Sequence, residues 1–487
     1  MHRPTSHGAL AAAVLLLTCG AASAESLYGS LAAAYDHNAQ LNAQRAATRA
    51  ADEAIAQAKA GYRPQVFSDV SLGFVRNVTR APFNQPGSDP TVLPVTGGGG
   101  GTIVLPGRPG SSGRITTGTN SVPFSYGVRI SQALFSGFQV VNSVNQAEAR
   151  VRASRAQLVA TEQQVFLGTA QAYSDIVFFQ TIVDVRNQNI AFLREQVNSA
   201  QARLEVGEGT RTDVAQSQAQ LALARSQVFT AQAQLQSARA VYRRFAVQPI
   251  ARATNPQVPT RLVPSSQAAA VSIGLRENPT IRASEYLVDA QAFAVKFQEG
   301  ALLPNLSANL SATERYDLGP ADSRTTNVQG TLQLTIPIYQ GGRVTSQVRQ
   351  AKETLGQQRI VLDQTRDEVR SNIVSAYANL QSARASIRAA QAQVSAARLA
   401  LAGVIEERNV GQRTQLDVLQ TRSTLLTAQE QLAVSRRDRV SASYALLAAV
   451  GRLTARKLGL HVAYYDPKHH YVEVVDRWYG LRTPDQR

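Results

Sequence analysis

Cysteine occurs once in the 487 residues, at Cys19, within the apolar stretch that opens the chain. Arg3 supplies a basic start, residues 9–17 an apolar run, and Ala22-Ser23-Ala24 a small-residue cleavage site. This is the pattern of a secretory signal peptide over residues 1–24, cut before Glu25. A lipid anchor on Cys19 is the weaker reading, because Thr18 stands where a small residue is wanted. The cut removes the only thiol, which excludes a disulfide framework, a thiolate metal site and a cysteine nucleophile. Long apolar runs are also lacking. No stretch offers the roughly 18 consecutive apolar residues that a spanning helix needs, so a route into a membrane must use strands. Aromatics make up 6% of the chain, too few for a large globular interior. Ala, Gln, Arg and Leu dominate instead, the profile of extended helices. Enzyme signatures are missing too: there is no GxSxG, no P-loop and no HExxH. The chain therefore reads as no enzyme, with no cofactor.

Proline is absent from residues 124–248 and 338–466. Interior proline breaks helices, so its absence over such lengths favours very long ones. The net charge of +16 raises the possibility of nucleic-acid binding. The excess is arginine at helical spacing with Asp and Glu interleaved, which fits a solvated helix face and no nucleic-acid partner.

What is present is written twice. "VGEGTRTDVAQSQAQL" begins at Val206 and "VGQRTQLDVLQTRSTL" at Val410. Gly137 in "LFSGFQV" and Gly341 in "IYQGGRV" stand 204 residues apart, as do Asp213 and Asp417. Upstream, Asn38 and Pro64 match Asn278 and Pro304 at an offset of 240. The extra 36 residues of the first half lie between Pro64 and Gly137, where "TGGGGGTIVLPGRPGSSGR" reads as a flexible loop. Each half predicts a helix (25–61 and 267–303), a strand pair (62–136 and 304–340) and a helical hairpin (137–248 and 341–452). A linker (249–266) joins the halves and a tail (453–487) ends the chain. Residues 137–206 as one helix would span ~100 Å at ~1.5 Å per residue. Val144, Ala147, Val151, Leu158 and Val165 recur at helical steps, as do Val344, Val348, Ala351 and Leu355. Such long helices need partners along their whole side.

The strand segments alternate apolar and polar residues. In 122–135 the even positions read Val, Phe, Tyr, Val, Ile, Gln, Leu; in 328–338 Val328, Leu332 and Leu334 oppose Gln329, Thr331 and Gln333. Leu306, Ala308 and Leu310 oppose Asn305, Ser307 and Asn309, and Val70 and Leu72 oppose Asp69 and Ser71. One apolar and one polar face over ~10 residues fits an outer-membrane barrel strand. Four strands cannot close a barrel, and open edges are not tolerated in lipid, so copies must pool their strands.

The duplicated VG-x-x-T-x-x-DV turns, the LFSGF and IYQGG joints and the tail YYDPKHHYVEVVDRWYGL resemble the TolC family of outer-membrane factors, over essentially the whole mature chain. Similar tails occur in members that serve multidrug efflux or type I secretion. The resemblance implies an α+β membrane protein: a homotrimer whose 12-stranded outer-membrane β-barrel, four strands per chain, continues into a periplasmic α-helical barrel. It implies a passive exit duct working with a periplasmic adaptor protein and an inner-membrane pump.

By the same resemblance the two turns are the periplasmic tips, closed at rest, where adaptor hairpins dock on Val206, Gly207, Val410 and Gly411. Asp417 matches an acid that narrows the closed end; a second family acid is Gln420 here. Thr212, Asp213 and Arg413 match residues in polar links between neighbouring hairpins. A tyrosine of that network is replaced by Arg408, which could pair with Asp213. Thr210 and Asp213, and Thr414 and Asp417, read equally as helix caps. His469-His470 is too sparse for a metal site and reads as part of a docked tail packed through Trp478 and Tyr479. The alternative is a soluble periplasmic coiled-coil scaffold or adaptor, although no lipoyl-like β module is visible.

Overall fold

The computed structural model describes residues 26–94, 102–250, 252–318 and 323–484. The expected signal peptide and the glycine run at 97–101 lie outside the described residues. In chain order the elements are α1 (Leu27–His37), α2 (Ala39–Lys59), β1 (Gln65–Leu72), β2 (Val75–Gln85), β3 (Thr91–Pro94), β4 (Thr102–Leu105), β5 (Ser111–Ser121) and β6 (Pro123–Ser136). Then come α3 (Gln139–Glu205), α4 (Arg211–Ala246), α5 (Gln267–Glu277), α6 (Pro279–Gly300), β7 (Asn305–Asp317) and β8 (Ser323–Thr335). The chain ends with α7 (Arg343–Asn409), α8 (Gln415–Ala449), α9 (Ala455–Leu458) and α10 (Pro467–Val474). The chain divides into two units, a strand unit of Gln57–Val144 with Val295–Gln350, and a helical unit holding the rest.

The helical unit shows the duplication plainly. α3 and α7 are 67 residues each, and α4 and α8 are 36 and 35. Of the apolar positions read from periodicity, Ala147, Val151, Leu158 and Val165 are buried, and so are Val344, Val348 and Ala351. The largest buried cluster gathers Leu31, Phe166, Tyr173, Tyr242, Tyr444 and Leu447. Its tyrosines keep their hydroxyls bonded: Tyr242 donates to Ser30 Oγ at 2.7 Å, and Tyr444 to the Gln257 carbonyl at 3.0 Å.

Where one continuous helix was expected from Leu27 onward, and another from Gln267, each is broken at its duplicated asparagine. Asn38 and Asn278 have extended backbones, with ψ of 125° and 124°. Asn38 Oδ1 caps the Gln40 and Leu41 amides while its Nδ2 donates to the Phe245 carbonyl. Asn278 caps the Thr280 amide and donates to the Ala449 carbonyl. One side chain thus starts a helix and satisfies an orphan carbonyl where a neighbouring helix ends. Helical periodicity alone does not show this break.

In the strand unit, β1-β6-β7-β8 form one antiparallel sheet. The register carries the expected alternation across all four strands: Leu306 faces Leu334, Leu310 faces Ile130, and Ile130 faces Val66. Asn309, Ser131, Thr331 and Gln65 share the other face. One detail differs from simple alternation. A bulge between Ala133 and Phe135 leaves Leu134 unpaired and sets Phe135 opposite Leu306, so the apolar role passes from even to odd positions at the end of β6.

The inserted segment also differs from the loop expected of it. β2 pairs β5 over eleven positions and β3 pairs β4, so Thr102–Leu105 and the last residues of the tract, where Ser111–Ser121 begins, are strands. Ser and Thr satisfy a ladder as well as apolar residues do, but they leave no hydrophobic period to read.

At the strand-to-helix joint, Gly137 and Phe138 both take left-handed φ, as do Gly341 and Gly342 in the second copy. A Cβ at Gly137 would collide with the Gly300 carbonyl. This explains the glycine in LFSGF.

Glu277, at the end of α5, accepts from Arg452 at 3.0 Å and from Lys457. These cations hold its carboxyl near pH 2, against an ordinary 4.5. A depressed carboxylate contributes stability above about pH 4.5 and loses it as pH falls toward 2. Thermal melting of Glu277→Gln should therefore lose less stability than wild type between those two pH values, and equal slopes would contradict the assignment.

Candidate functional site

α3 ends at Glu205 and α4 begins at Arg211, leaving a very short turn to reverse the chain. Its first half is a Schellman closure, with Glu208 N donating to Arg203 O at 2.9 Å and Gly207 N to Leu204 O at 3.1 Å. The closure needs a left-handed residue, and Gly207 supplies φ of 81°. Its second half is a capping box. Thr210 Oγ1 accepts from the Asp213 amide at 3.1 Å, while Asp213 Oδ2 accepts from the Thr210 amide at 3.1 Å and its hydroxyl at 2.7 Å.

The second tip repeats every bond. Gln412 N donates to Glu407 O and Gly411 N to Arg408 O, with Gly411 at φ 80°. Thr414 and Asp417 form the same box. Hydrogen bonds from Thr414, with Arg413 nearby, hold the Asp417 carboxyl below its ordinary range. The motif thus completes a chain reversal through bonds that all lie between Arg203 and Asp213, and its capping role is structural.

The site residues expected from sequence fall into two groups. Val206 and Val410 are the apolar tips, 72% and 71% exposed. Thr212 is exposed on the first turn of α4. Arg413 Nε donates to Glu407 Oε2 at 2.8 Å, within its own hairpin. The expected pairing of Arg408 with Asp213 is not formed within the chain. Arg408 is buried, and its Nη1 donates to Gln196 Oε1 and Gln415 Oε1, both at 2.8 Å, while Nη2 donates to Asn409. Burial, and then the charge of Arg203, push its pKa down.

Gln415 extends the network to Ser217 Oγ at 3.3 Å, so Arg408 joins all four long helices. Further from the tips, α3 and α8 are tied by Arg422 to Asn189 at 2.9 Å and Arg186 to Glu430 at 2.7 Å. Gln196, Gln415, Asn189 and Arg422 escaped sequence reading. The available signal was asymmetry: 204 residues away, the positions matching Arg408, Gln415 and Gln196 hold Leu204, Arg211 and Ala400. Links between the two hairpins need unlike partners, so they sit where the repeats disagree.

The tail docks as expected but through other residues. His470 Nδ1 lies 3.3 Å from Asp52 Oδ2, Arg155 donates to the other oxygen of Asp52, and Val474 is fully buried. Trp478 and Tyr479 are exposed instead.

In the strand unit a hollow of about 450 Å³ lies where one end of the polar face meets Gly61 and Arg63, lined also by Gln65, Asn305, Ser307 and Gln333. Along the polar face Arg129 pairs with Asp69 at 3.4 Å.

The outer membrane efflux protein family matches residues 31–243 and 271–452. The outer membrane efflux protein BepC of Brucella suis is 41% identical over 483 residues, covering 98% of this chain and 97% of that protein. The chain belongs to the outer membrane efflux protein family. This is the TolC family that the turns and tail resemble. AprF, an alkaline protease secretion protein of Pseudomonas aeruginosa, is 24% identical over 64% of this chain and 66% of its own. The Campylobacter jejuni CmeC outer membrane channel shares the fold, with a TM-score of 0.69 at 16% identity, covering 93% of this chain and 90% of that one. As an outer membrane efflux protein the chain is a duct component of the outer membrane reaching into the periplasm, and not an enzyme. Membership sets aside the soluble scaffold reading.

In this efflux protein the turn geometry makes a direct prediction. Gly207→Ala and Gly411→Ala should each cost about 1–2 kcal/mol locally, because a Cβ disfavours left-handed backbone. Thr210→Ala should cost about 1 kcal/mol through the lost cap. Amide exchange should quicken across residues 203–214 in Gly207→Ala and Thr210→Ala while the strands keep wild-type protection. Unchanged exchange at the turn would refute the assignment.

Proposed function

We propose that three copies of this chain close into one exit duct, sealed by strands in the outer membrane and gated at the hairpin tips. Two features support closure. β1 and β8 each have one neighbour in the four-stranded sheet, leaving open edges. With four antiparallel strands, β8 of one copy meets β1 of the next antiparallel, so identical copies can close a ring. Twelve strands then form the barrel, with the apolar face toward lipid and the polar face lining the lumen. Along β7, Leu306 to Tyr316 rises ~34 Å, or ~26 Å at a tilt of about 40°, the height of an outer-membrane apolar band.

The single observation that carries the gate is the duplicated tip. The tips present Val206 and Val410 to solvent, which suits docking of a periplasmic adaptor that couples the duct to an inner-membrane pump. Each capping carboxylate spends only Oδ2 on its own cap. Among the described residues the Oδ1 of Asp213 and of Asp417 has no hydrogen-bond partner, which leaves it open to a link from a neighbouring hairpin. Thr212, Asp213 and Arg413 then hold the closed state, and Asp417 narrows it. The Arg408 network keeps the two hairpins of one chain together, so opening moves hairpin pairs against other copies. The reading covers both efflux and secretion, the activities for which BepC and AprF are named.

Single-channel recording in planar bilayers tests the gate. Each exposed link is worth about 0.5–1 kcal/mol, so Arg413→Ala should raise the open-to-closed ratio about two- to fivefold per link. Asp213→Ala should do the same. Conductance and open probability identical to wild type in both variants would remove the gate assignment.

A further inference from the structure

The two halves of the four-stranded sheet share one register. Shifting β1 by 240 residues and β6 by 204, the offsets of the duplication, carries each of the eight β1–β6 pairs onto a β7–β8 pair. Gln65 with Ser131 becomes Asn305 with Thr335, and Leu72 with Phe124 becomes Ala312 with Val328. The β6–β7 junction between the halves has no such counterpart within the chain, because β8 and β1 are the free edges.

Beside the β8 edge several groups lack a neighbour. Residues 132–136 of β6 run past the last β1 pair and are held as strand by β7 alone, through the bulge at Leu134. Their repeats, residues 336–340, belong to no strand, and Ile338 and Tyr339 are 96% and 85% exposed. Gln340 buries an Oε1 that has no donor among the described residues. At the first joint, Gly137 abuts the end of α6 and Gln139 Nε2 donates to the Phe297 carbonyl at 3.4 Å. At the second, a Cβ on Gly341 or Gly342 would meet only open space. The matching support would be the end of α2, which in its own chain lies against Val140 through Gly61.

We propose that residues 328–340 join β1 of a second copy antiparallel, in the register that β6 keeps with β7. The same offsets then set Thr335 opposite Asp69 of the next copy, Leu334 opposite its Val70, Gln333 opposite its Ser71 and Leu332 opposite its Leu72. Ile338 bulges as Leu134 does, so that Tyr339 faces Val66 and Gln340 faces Gln65 of that copy. Residues 336–340 become strand only when the second copy arrives. The chemistry agrees with this register. Leu334, Leu332 and Tyr339 meet apolar partners and Gln333 and Thr335 polar ones, a match that a slip of one residue would destroy. Gln65 brings an amide donor to the orphan Oε1 of Gln340. Pro337 falls beside the bulge, where a strand tolerates proline. The seam rests on the ring closure proposed above, and adds which residues meet and where the ladder slips.

Disulfide trapping of the full chain in native outer membranes reads the register. Directly opposed residues lie about 5 Å apart at Cα, within disulfide reach, and those two places along lie about 7 Å away or more. Ser71→Cys with Gln333→Cys should convert most of the monomer into bands of two and three chains. Ser71→Cys with Thr331→Cys or with Thr335→Cys should leave it monomeric. Gln65→Cys should bridge Gln340→Cys and not Tyr339→Cys, which an unbulged ladder would place opposite it. Bridging of Ser71→Cys through Thr331→Cys or Thr335→Cys instead overturns the register, and bridging of Gln65→Cys with Tyr339→Cys overturns the bulge; both leave the ring standing. With wild-type bilayer conductance retained, absence of a bridge at every β8 position overturns the seam alone. A wild-type chain that conducts nothing removes the duct reading with it.

Discussion

Backbone amides and carbonyls in hydrocarbon have no water to bond, and this constraint governs the strand unit. The sheet satisfies it internally along β6 and β7 and leaves it unmet along the outer edges of β1 and β8. Most of the apolar side chains on one face of that sheet are exposed, which a chain in water would not maintain as a contiguous surface. Lipid covers the face in the proposed arrangement, and neighbouring copies cover the edges. Oligomerisation is then a requirement of folding in the membrane rather than a later embellishment.

The helical unit meets a different constraint by duplication. A helix of 67 residues has no interior of its own, so its stability comes from neighbours along its length. Two copies of one design supply them. The breaks at Asn38 and Asn278 and the reversals at Gly207 and Gly411 fix where each helix ends, using the same side-chain chemistry in both copies. Function enters where the copies part company. Arg408 and Gln415 tie the hairpins together, and neither has a like residue in the other repeat.

Much of this was legible in the sequence because it rests on local pattern. Proline-free length announced the long helices, period-two alternation announced β1, β6, β7 and β8, and the VG-x-x-T-x-x-DV motif announced turns whose bonds are all within a few residues. What was missed depends on partners distant in sequence or on backbone alone. β5 is mostly Ser, Thr and Gly, and the apolar Val75, Val78, Phe83 and Ile115 of the β2–β5 ladder do not alternate regularly, so no hydrophobic period shows. The bulge at Leu134 is invisible until the register with β7 is known. The polar network around Arg408 spans 212 residues to Gln196, so nothing near Arg408 reveals it. His470 likewise finds Asp52 across most of the chain, whereas Trp478, the more conspicuous residue, stays exposed.

The absence of cysteine from the expected mature chain gives direct access to the proposed closure. Single cysteines along β8 (Ser323–Thr335), each combined with Ser71→Cys in β1, can be oxidised in native outer membranes and resolved by denaturing electrophoresis. The account predicts that one register yields covalent species of two and three chains and nothing larger, as a closed ring of three requires. Absence of intermolecular bonds at every register, with the chain recovered as a detergent-free monomer, would contradict it.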